Sequence, residues 1–231
     1  MRMTIHDMQN LNRDTISYVA TAIKPGMSLC DVRYICEEYM LAHGADSFWY
    51  WDVGAFVFRG KDTVLSVSGR QYETVDTIVE PNDIITIDLS PQNNCIWGDY
   101  ARTIVLEDGV TIIDPAKVRN NQWREGLLME ERLHEATKAF VRHNTTFEDL
   151  FFYINDVINT NGYINLDFLG NLGHSIVREK NQRIYIEKGN KTKLSDVEAF
   201  TFEPHISLPD GKYGYKKENI YVFDSNQLIE L

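Results

Sequence analysis

The stretch IITIDLSPQNNCIWGDYARTIVL (residues 84–106) contains two apolar runs separated by Ser, Pro, Asn and Gly. Apolar and β-branched residues dominate each run, and turn-forming residues lie between them, so the stretch predicts a β-hairpin. A two-residue turn at Asn93-Asn94 would place Asp88 of the first strand directly opposite Asp99. Both carboxylates would then lie on one face of the sheet.

A second hairpin is predicted from residues 202–218, with its turn at Asp210-Gly211. This turn sets Glu203 opposite Glu218 and repeats the geometry of the first hairpin. Directly opposed side chains have Cβ atoms about 5 Å apart, and like charges at that distance destabilise a sheet. Divalent cations are the simplest compensation, because carboxylates are good ligands for them. The two acid pairs therefore predict a metal site.

A histidine lies between the two acid pairs along the chain. His174 stands in the segment GNLGHS (residues 170–175), and imidazole is the usual nitrogen ligand of a catalytic transition metal. Two Asp, one His and two Glu together form the ligand set of a dinuclear metallohydrolase. The predicted metal ligands are Asp88, Asp99, His174, Glu203 and Glu218.

The rest of the chain divides into two similar successions of helices and strands. Helices are predicted over 4–23, 28–43, 116–143 and 146–159, and strands over 48–51, 55–58, 63–67, 84–89, 101–106, 183–187, 199–206 and 219–223. This order indicates an α+β fold with two halves of about equal length, roughly 1–113 and 114–231. Because no linker-like segment separates the halves, we expect one domain over 1–231.

The composition excludes several classes of protein. The chain has 231 residues, and 23 Lys and Arg against 34 Asp and Glu give a net charge of −11 at pH 7. An acidic chain without clustered basic residues does not favour a nucleic-acid or anionic-membrane partner. No uncharged apolar run in the sequence approaches the ~20 residues needed to cross a bilayer. The three cysteines form no C-x-x-C pair, so we expect free thiols and a cytoplasmic protein.

The motifs around the predicted ligands resemble, in order, the five metal-ligand motifs of the methionine aminopeptidase and Xaa-Pro aminopeptidase superfamily. They are IDLS-x7-GDYART around Asp88 and Asp99, LGHSI around His174, FTFEP around Glu203 and GYKKENIYV around Glu218. The resemblance spans residues 4–224. It implies the pita-bread, or creatinase-like, fold, in which two pseudo-symmetric helix-helix-strand halves surround a curved antiparallel sheet. The length suits the catalytic domain only.

The resemblance also implies a function. It implies a dinuclear metallo-aminopeptidase-like hydrolase with two divalent ions, Mn being favoured over Co, Fe or Zn. A hydroxide that bridges the ions would cleave a peptide or a small amide, and Glu203 would pass the proton as well as bind metal. Two alternatives stay open, a non-peptidase amidohydrolase of the same fold and a catalytically silent binding module.

Two histidines of the family are absent from this chain. A substrate-binding histidine of methionine aminopeptidases lies upstream of the first metal Asp, where this chain has Arg70 and Gln71. A second active-site histidine of the family aligns with Asn181 without gaps, or with Ile186 in a shifted alignment. Arg70 and Asn181 are therefore the predicted substrate-binding residues. The absences favour an Xaa-Pro or other aminopeptidase over an initiator-methionine aminopeptidase.

His205 offers a partial replacement for the absent histidines. It lies two residues after Glu203 in a predicted strand, and such residues share a face of the sheet. An unperturbed imidazole has a pKa near 6.5 and can donate a hydrogen bond or carry a proton. His205 is therefore predicted to be a catalytic residue together with Glu203.

Overall fold

Residues 3–231 are described in this computed structural model, and they contain four α-helices. These are α1 (Ile5–Ala22), α2 (Leu29–Ala42), α3 (Asn121–Phe140) and α4 (Phe147–Thr160). Capping boxes start three of them, at Thr4 and Asp7, Ser28 and Asp31, and Thr146 and Asp149. The four predicted helices are thus confirmed. The third begins later than predicted, because Pro115–Lys117 forms a separate 3₁₀ turn and Asn120 caps the helix.

Fourteen strands in the described residues form antiparallel sheets. They are β1 (Ser47–Phe48), β2 (Ala55–Arg59), β3 (Asp83–Leu89), β4 (Pro91–Asn93), β5 (Ile96–Trp97), β6 (Tyr100–Glu107), β7 (Val110–Ile112), β8 (Ile164–Asn165), β9 (Ser175–Ile176), β10 (Ala199–Phe202), β11 (His205–Ser207), β12 (Tyr215–Lys216), β13 (Asn219–Asp224) and β14 (Gln227–Glu230). The first half carries the orders β2-β3-β6-β7 and β1-β4-β5, and the second half carries β14-β13-β10-β9 and β12-β11-β8. The predicted α+β fold is confirmed.

The sheets of the two halves meet where β6 runs beside the β12–β13 segment. Arg102 and Lys217 form a bridge there, and the Glu218 N–H donates to the Ala101 carbonyl at 3.0 Å. The Arg102 guanidinium also donates to the Glu218 carbonyl at 2.7 Å. Hydrogen bonds from the backbone and from the Arg102 side chain therefore hold Glu218 beside β6, a central strand of the first half.

Strand alternation decides which way the acids point. Ile87 and Leu89 are fully buried in a core with residues of α1 and α2, so Asp88 between them lies on the opposite face. Phe202 is fully buried in a second core with residues of α3 and α4. Glu203 therefore points away from those helices. Each half packs its helices on one face of its sheet and presents an acid on the other.

The predicted register of the first hairpin is wrong. Asp88 pairs with Ala101, not with Asp99, and the two-residue turn lies at Asn94-Cys95. Both turn residues have positive φ, 50° and 63°, as a tight hairpin turn requires. Contacts from distant residues fix this turn, since β4 pairs with β1 and the Asn94 N–H donates to the Asp46 carboxylate at 2.9 Å.

The predicted register of the second hairpin is confirmed by the pairs on either side of the acids. Phe202 pairs with Asn219, and His205 pairs with Lys216. The predicted strand over 199–206 is nevertheless divided into β10 and β11, because Pro204 has no N–H to contribute to the ladder.

Three other predicted strands are wrong or shorter than predicted. Residues 63–67 begin within a 3₁₀ helix, Gly60–Val64, and residues 183–187 form only one bridge, from Tyr185 to His174. Only Phe48 of the run 48–51 lies in a strand, because Trp51 and Asp52 have positive φ, 58° and 59°. Among residues 3–231, no helix has both the length and the apolar character needed to cross a bilayer.

Candidate metal centre

Three carboxylates from both halves converge at one point. Asp88 lies near the end of β3, Asp99 precedes β6, and Glu218 lies between β12 and β13. One ligand oxygen from each lies within 4.8 Å of the others. Asp99 is still close to Asp88, because it lies two residues from Ala101, the partner of Asp88, and is therefore its diagonal neighbour on the same face.

His174 joins the cluster from the segment before β9. Its Nε2 lies 3.4 Å from Asp99 Oδ2 and 3.7 Å from Glu203 Oε1. Its Nδ1 donates to the Ser175 carbonyl at 3.2 Å, because a carbonyl oxygen can only accept. The Nε2 lone pair therefore faces the carboxylates, as in a metal-binding histidine whose tautomer is set by a partner on the other nitrogen.

A glycine makes the position of His174 possible. Gly173 has φ 137°, and a Cβ there would lie 2.3 Å from the Thr201 carbonyl oxygen. His174 donates its N–H to Thr201 Oγ1 at 3.1 Å, and this hydrogen bond holds His174 against β10. Glu203 lies two residues along from Thr201 on the same chain. All five predicted metal ligands are thus brought together.

The pKa values of the clustered carboxyls indicate an excess of buried negative charge. Burial raises the pKa of Asp99 to about 7 and raises the pKa of Asp88. Burial also raises the pKa of Glu218 well above its usual value, and Asp99 and Glu203 add to the effect. Both carboxylate oxygens of Glu218 are buried without a hydrogen-bond partner within residues 3–231. An orphaned buried carboxylate beside other acids fits a bound cation, so the donor set fits divalent metal ions.

Lys216 is a member of the site that the sequence analysis missed. Its Nζ lies 2.5 Å from Asp88 Oδ2, 3.0 Å from Glu203 Oε2 and 3.9 Å from Glu218 Oε2. Burial raises the pKa of Glu203, but the ammonium of Lys216 opposes it, and the pKa lies below its usual value. The position two residues before Glu218 in a strand would have indicated a side chain on the same face.

His205 lines the cavity above these carboxylates. It is 6% exposed, and its Nε2–H donates to the Thr63 carbonyl at 2.7 Å. Burial, helped by the Lys216 ammonium, lowers the pKa of His205 to about 4. The imidazole is therefore neutral near pH 7 and does not change its charge there, whereas an unperturbed imidazole with a pKa near 6.5 would. The 3₁₀ helix Gly60–Val64, which overlaps the start of the strand predicted over 63–67, positions the Thr63 carbonyl.

The two predicted substrate-binding residues lie elsewhere in the described chain. Arg70 is exposed in a turn, with its guanidinium 4.3 Å from the Trp51 ring, and it does not line the cavity. Asn181 is exposed in the 3₁₀ turn Lys180–Gln182 and does not line the cavity either. The chain turns back after that 3₁₀ turn, so that Arg183 and Tyr185 reach the cavity wall instead. Ile186, the other aligned position, is fully buried in the core.

The cavity has a volume of about 140 Å³ and an acidic floor beneath aromatic walls. Asp88, Asp99, His174 and Glu203 form the floor, together with Lys216. The aromatic wall residues include Tyr50, Phe56, Phe58 and Tyr185. Trp49 also lines the cavity, and its ring centroid lies 5.8 Å from that of His174. A small substrate can therefore reach the ligand cluster from one side.

Two Asp, one His and two Glu thus lie together at the junction of two antiparallel sheets, as the resemblance to the pita-bread fold implies. Residues 4–225 match the sequence profile of Metallopeptidase family M24, and the chain belongs to this family. The resemblance found in the motifs is therefore confirmed.

Solved structures share the fold. An X-Pro aminopeptidase from Thermotoga maritima MSB8 and a prolidase from Pyrococcus horikoshii OT3 each superpose with a TM-score of 0.79 at 19% identity. Both alignments cover 98% of this chain, with 59% and 60% of the respective neighbours. An Xaa-Pro dipeptidase from Lactobacillus helveticus is 24% identical over 131 residues, which are 57% of this chain and 33% of the relative. The chain thus corresponds to only part of each of these proteins.

Proposed function

We propose that this protein is a metal-dependent hydrolase of the aminopeptidase type that cleaves a peptide or a small amide. The observation that carries the proposal is the convergence of two Asp, one His and two Glu at an accessible cavity. Asp88, Asp99, His174 and Glu203 line the cavity, and Glu218 is fully buried beside them, with neither carboxylate oxygen hydrogen-bonded within residues 3–231. The ligands come from both halves, which also supports our proposal that residues 1–231 form one catalytic domain.

Two divalent ions fit the donors. Asp88, Asp99 and Glu218 would hold one ion, and Asp99, His174 and Glu203 would hold the other. Mn is favoured, and Co, Fe or Zn also suit such a mixed carboxylate and imidazole set. When bound, such ions acidify water to supply a hydroxide nucleophile and polarise a carbonyl. Their charge would balance the carboxylates that Lys216 neutralises only in part.

Glu203 is suited to move the proton of the reaction. The Lys216 ammonium holds the pKa of its carboxyl below the usual range against the effect of burial, so the group is ionised at neutral pH. An ionised carboxylate on the cavity floor can accept a proton from water and return it to a leaving amine.

His205 is suited to contact the substrate rather than to titrate. Its Nε2 proton is committed to the Thr63 carbonyl, and its low pKa keeps the ring neutral. We propose that Nδ1 accepts a hydrogen bond from the substrate.

The substrate is proposed from the relatives, whose names state Xaa-Pro aminopeptidase, prolidase and Xaa-Pro dipeptidase activity. Peptides with an Xaa-Pro bond are therefore the first substrates to try. We also propose a cytoplasmic location, which the free thiols of the described cysteines, Cys30, Cys36 and Cys95, support.

The proposal is tested with protein loaded with Mn²⁺ and with the same protein after treatment with a chelator. Xaa-Pro dipeptides, a Met-Ala-Ser peptide and small non-peptide amides form the substrate panel. We expect metal-dependent hydrolysis of Xaa-Pro peptides and poor release of methionine. Cleavage of non-peptide amides alone would favour an amidohydrolase, and two bound ions without hydrolysis of any substrate would favour a binding module.

A further inference from the structure

The orientation of the Glu218 side chain depends on its backbone. Neither carboxylate oxygen has a hydrogen-bond partner within residues 3–231, and the Lys216 ammonium, at 3.9 Å, is too far away to donate a hydrogen bond. The backbone on either side of Glu218 lies at the break between β12 and β13. A side chain that fixes these peptide groups would therefore also fix the proposed metal ligand.

A proline removes one hydrogen-bond donor from the sheet at this break. The strand pairs on either side of the acids set Pro204 opposite Lys217. Proline has no N–H, so the residue opposite Lys217 has no backbone donor to offer to the Lys217 carbonyl. Because backbone carbonyls inside a fold need partners, another group has to replace the missing N–H.

His134 of α3 supplies that donor. Its Nε2 lies 3.0 Å from the Lys217 carbonyl oxygen, and Nε2 carries the proton because a carbonyl can only accept. Burial lowers the pKa of His134 well below its usual value, so the ring is neutral, and Nδ1 accepts from the Tyr221 hydroxyl at 2.8 Å. That hydroxyl is farther from Glu230 Oε2, at 3.2 Å. The imidazole is 1% exposed and packs against the Phe202 ring, with centroids 4.9 Å apart.

Two further contacts hold the same segment. The Lys217 ammonium forms an ion pair with Glu131, which also lies on α3. The Arg102 guanidinium of β6 donates to the Glu218 carbonyl at 2.7 Å. The carbonyl before Glu218 and its own carbonyl are thus held by side chains from two different elements.

We propose that His134 is a positioning residue for Glu218. The imidazole donates to the Lys217 carbonyl in place of the N–H that Pro204 lacks, and it thereby holds the peptide that carries Glu218. This contact sets the affinity for the ion that Glu218 binds, although His134 does not itself line the cavity. The inference rests on the proposed function, because Glu218 is a ligand of the proposed metal centre.

The test measures Mn²⁺ binding by calorimetry after the protein has been freed of metal with a chelator. Wild type is compared with His134→Leu, which removes the donor, and with His134→Gln, whose amide can donate to a carbonyl and accept from a hydroxyl. Leu150→Ala is the control, because Leu150 of α4 is fully buried in the same core and its truncation lowers stability. Hydrogen exchange of the backbone over residues 215–220 is measured in chelator.

We expect His134→Leu to bind one Mn²⁺ about 10- to 100-fold more weakly than wild type, as for other residues that orient metal ligands. The affinity for the other ion should change by no more than a few-fold. That ion should show ¹⁴N coupling from His174 in pulsed electron paramagnetic resonance, because Glu218 belongs to the weakened site. Exchange over residues 215–220 should be faster in His134→Leu.

The other two variants should separate positioning from stability. His134→Gln should retain most of the affinity for both ions. Leu150→Ala should melt at a lower temperature than wild type, with both affinities unchanged. If His134→Leu does not fold, Tyr221→Phe takes its place, with a loss of about 2- to 10-fold at the same ion because it removes one hydrogen bond from the imidazole.

Equal affinities of wild type and His134→Leu for two Mn²⁺ ions would overturn the inference and leave the proposed metal centre standing. Unchanged affinities in Tyr221→Phe would do the same where that variant is needed. A loss of affinity in Leu150→Ala as large as in His134→Leu, or unchanged exchange over residues 215–220 in His134→Leu, would also overturn it. Wild type that binds no Mn²⁺ would contradict the proposed metal centre and, with it, this role of His134.

Discussion

The two hairpins that supply the acids reach similar end points by different routes. In the first, the β4–β5 ribbon is inserted between Asp88 and Asp99, and the strands that flank it pair Asp88 with Ala101. In the second, Glu203 and Glu218 lie in the register that their neighbours define. The acids converge in both cases, so the geometry of the site does not depend on one strand register.

The residues two positions from each acid differ more than the acids do. Two residues before the second acid, the first half has Trp97, which is 1% exposed, and the second half has Lys216. Two residues after the first acid, the first half has Ser90 and the second half has His205. At these positions the first half thus has a buried aromatic ring, 5.8 Å from the His174 ring, and a serine, whereas the second half has a cation and an imidazole. The two halves therefore both contribute acids to the cluster but differ in the side chains beside those acids.

The largest effects are expected when either half loses an acid. Asp99→Asn and Glu218→Gln should each lower metal affinity by more than about 100-fold, since even residues that only orient metal ligands cost 10- to 100-fold. Metal content after dialysis and turnover measure the effect. If one variant kept two ions and full activity, the halves would not contribute equally to the metal centre.

The next largest effect should differ between the matching positions His205 and Ser90 of the two halves. His205→Ala is expected to reduce kcat/KM by about 10- to 100-fold with unchanged metal content, because it removes a proposed contact to the substrate. Ser90→Ala, at the matching position, should cost no more than a few-fold, because Ser90 Oγ already donates to the Val53 carbonyl. Equal losses in the two variants would show that the matching positions have equivalent roles.

A smaller effect should appear in stability when Lys216 is removed. In the presence of chelator, Lys216→Met leaves Asp88, Glu203 and Glu218 without the ammonium that contacts them. The free energy of unfolding should fall by about 2 kcal/mol. The loss is smaller than for a fully buried ion pair, because the carboxyls can take up protons. That cost corresponds to a melting temperature lower by roughly 4 to 8 °C. Lys216→Arg should retain most of the stability, and Mn²⁺ should narrow the difference. If Lys216→Met and wild type had the same melting temperature in chelator, Lys216 would not stabilise the metal-free protein.

The smallest expected effect is a pH dependence of the metal-free protein. The pKa of Asp99 is raised to about 7 and that of Glu218 is also raised, so the folded state binds more protons than the unfolded state. Stability is therefore present at low pH and lost as the pH rises through these pKa values.

Between pH 6.5 and 8 the melting temperature in chelator should fall by about 2 to 4 °C, the equivalent of about 1 kcal/mol. Glu218→Gln should flatten this slope, and Mn²⁺-loaded protein should not show it. A melting temperature that rises over this range in chelator would contradict the assigned proton balance. As the pH falls below about 6.5, His134 and His205 act in the opposite direction, because burial lowers their pKa values and the unfolded state then binds more protons at these two residues.

Local signals were sufficient to predict the helices, the acids that converge in the cluster and the register of the second hairpin. Ser28 with Asp31 and Thr146 with Asp149 form the expected capping boxes because such contacts span only three residues. The first hairpin was misplaced because its turn depends on Asp46, a residue 48 positions from Asn94 along the chain. No local pattern contains that contact.

The residues that line the cavity were harder to predict, because their positions also depend on contacts between distant parts of the chain. Arg70 and Asn181 were chosen by alignment with absent histidines, but loop conformation decides which side chain reaches a cavity. The 3₁₀ turn Lys180–Gln182 directs Arg183 and Tyr185 to the wall instead. Lys216 was within reach of sequence reasoning, since strand alternation places it on the same face as Glu218.

The most direct test of the metal centre is anomalous X-ray diffraction from crystals grown with Mn²⁺. We expect two peaks, one among Asp88, Asp99 and Glu218 and one beside His174 and Glu203. The carboxylate oxygens of Asp88 and Glu203 should then have moved away from Lys216. A single peak would contradict the dinuclear proposal. The absence of any peak in the cluster, with Lys216 still bound to Asp88 and Glu203, would contradict the metal centre itself.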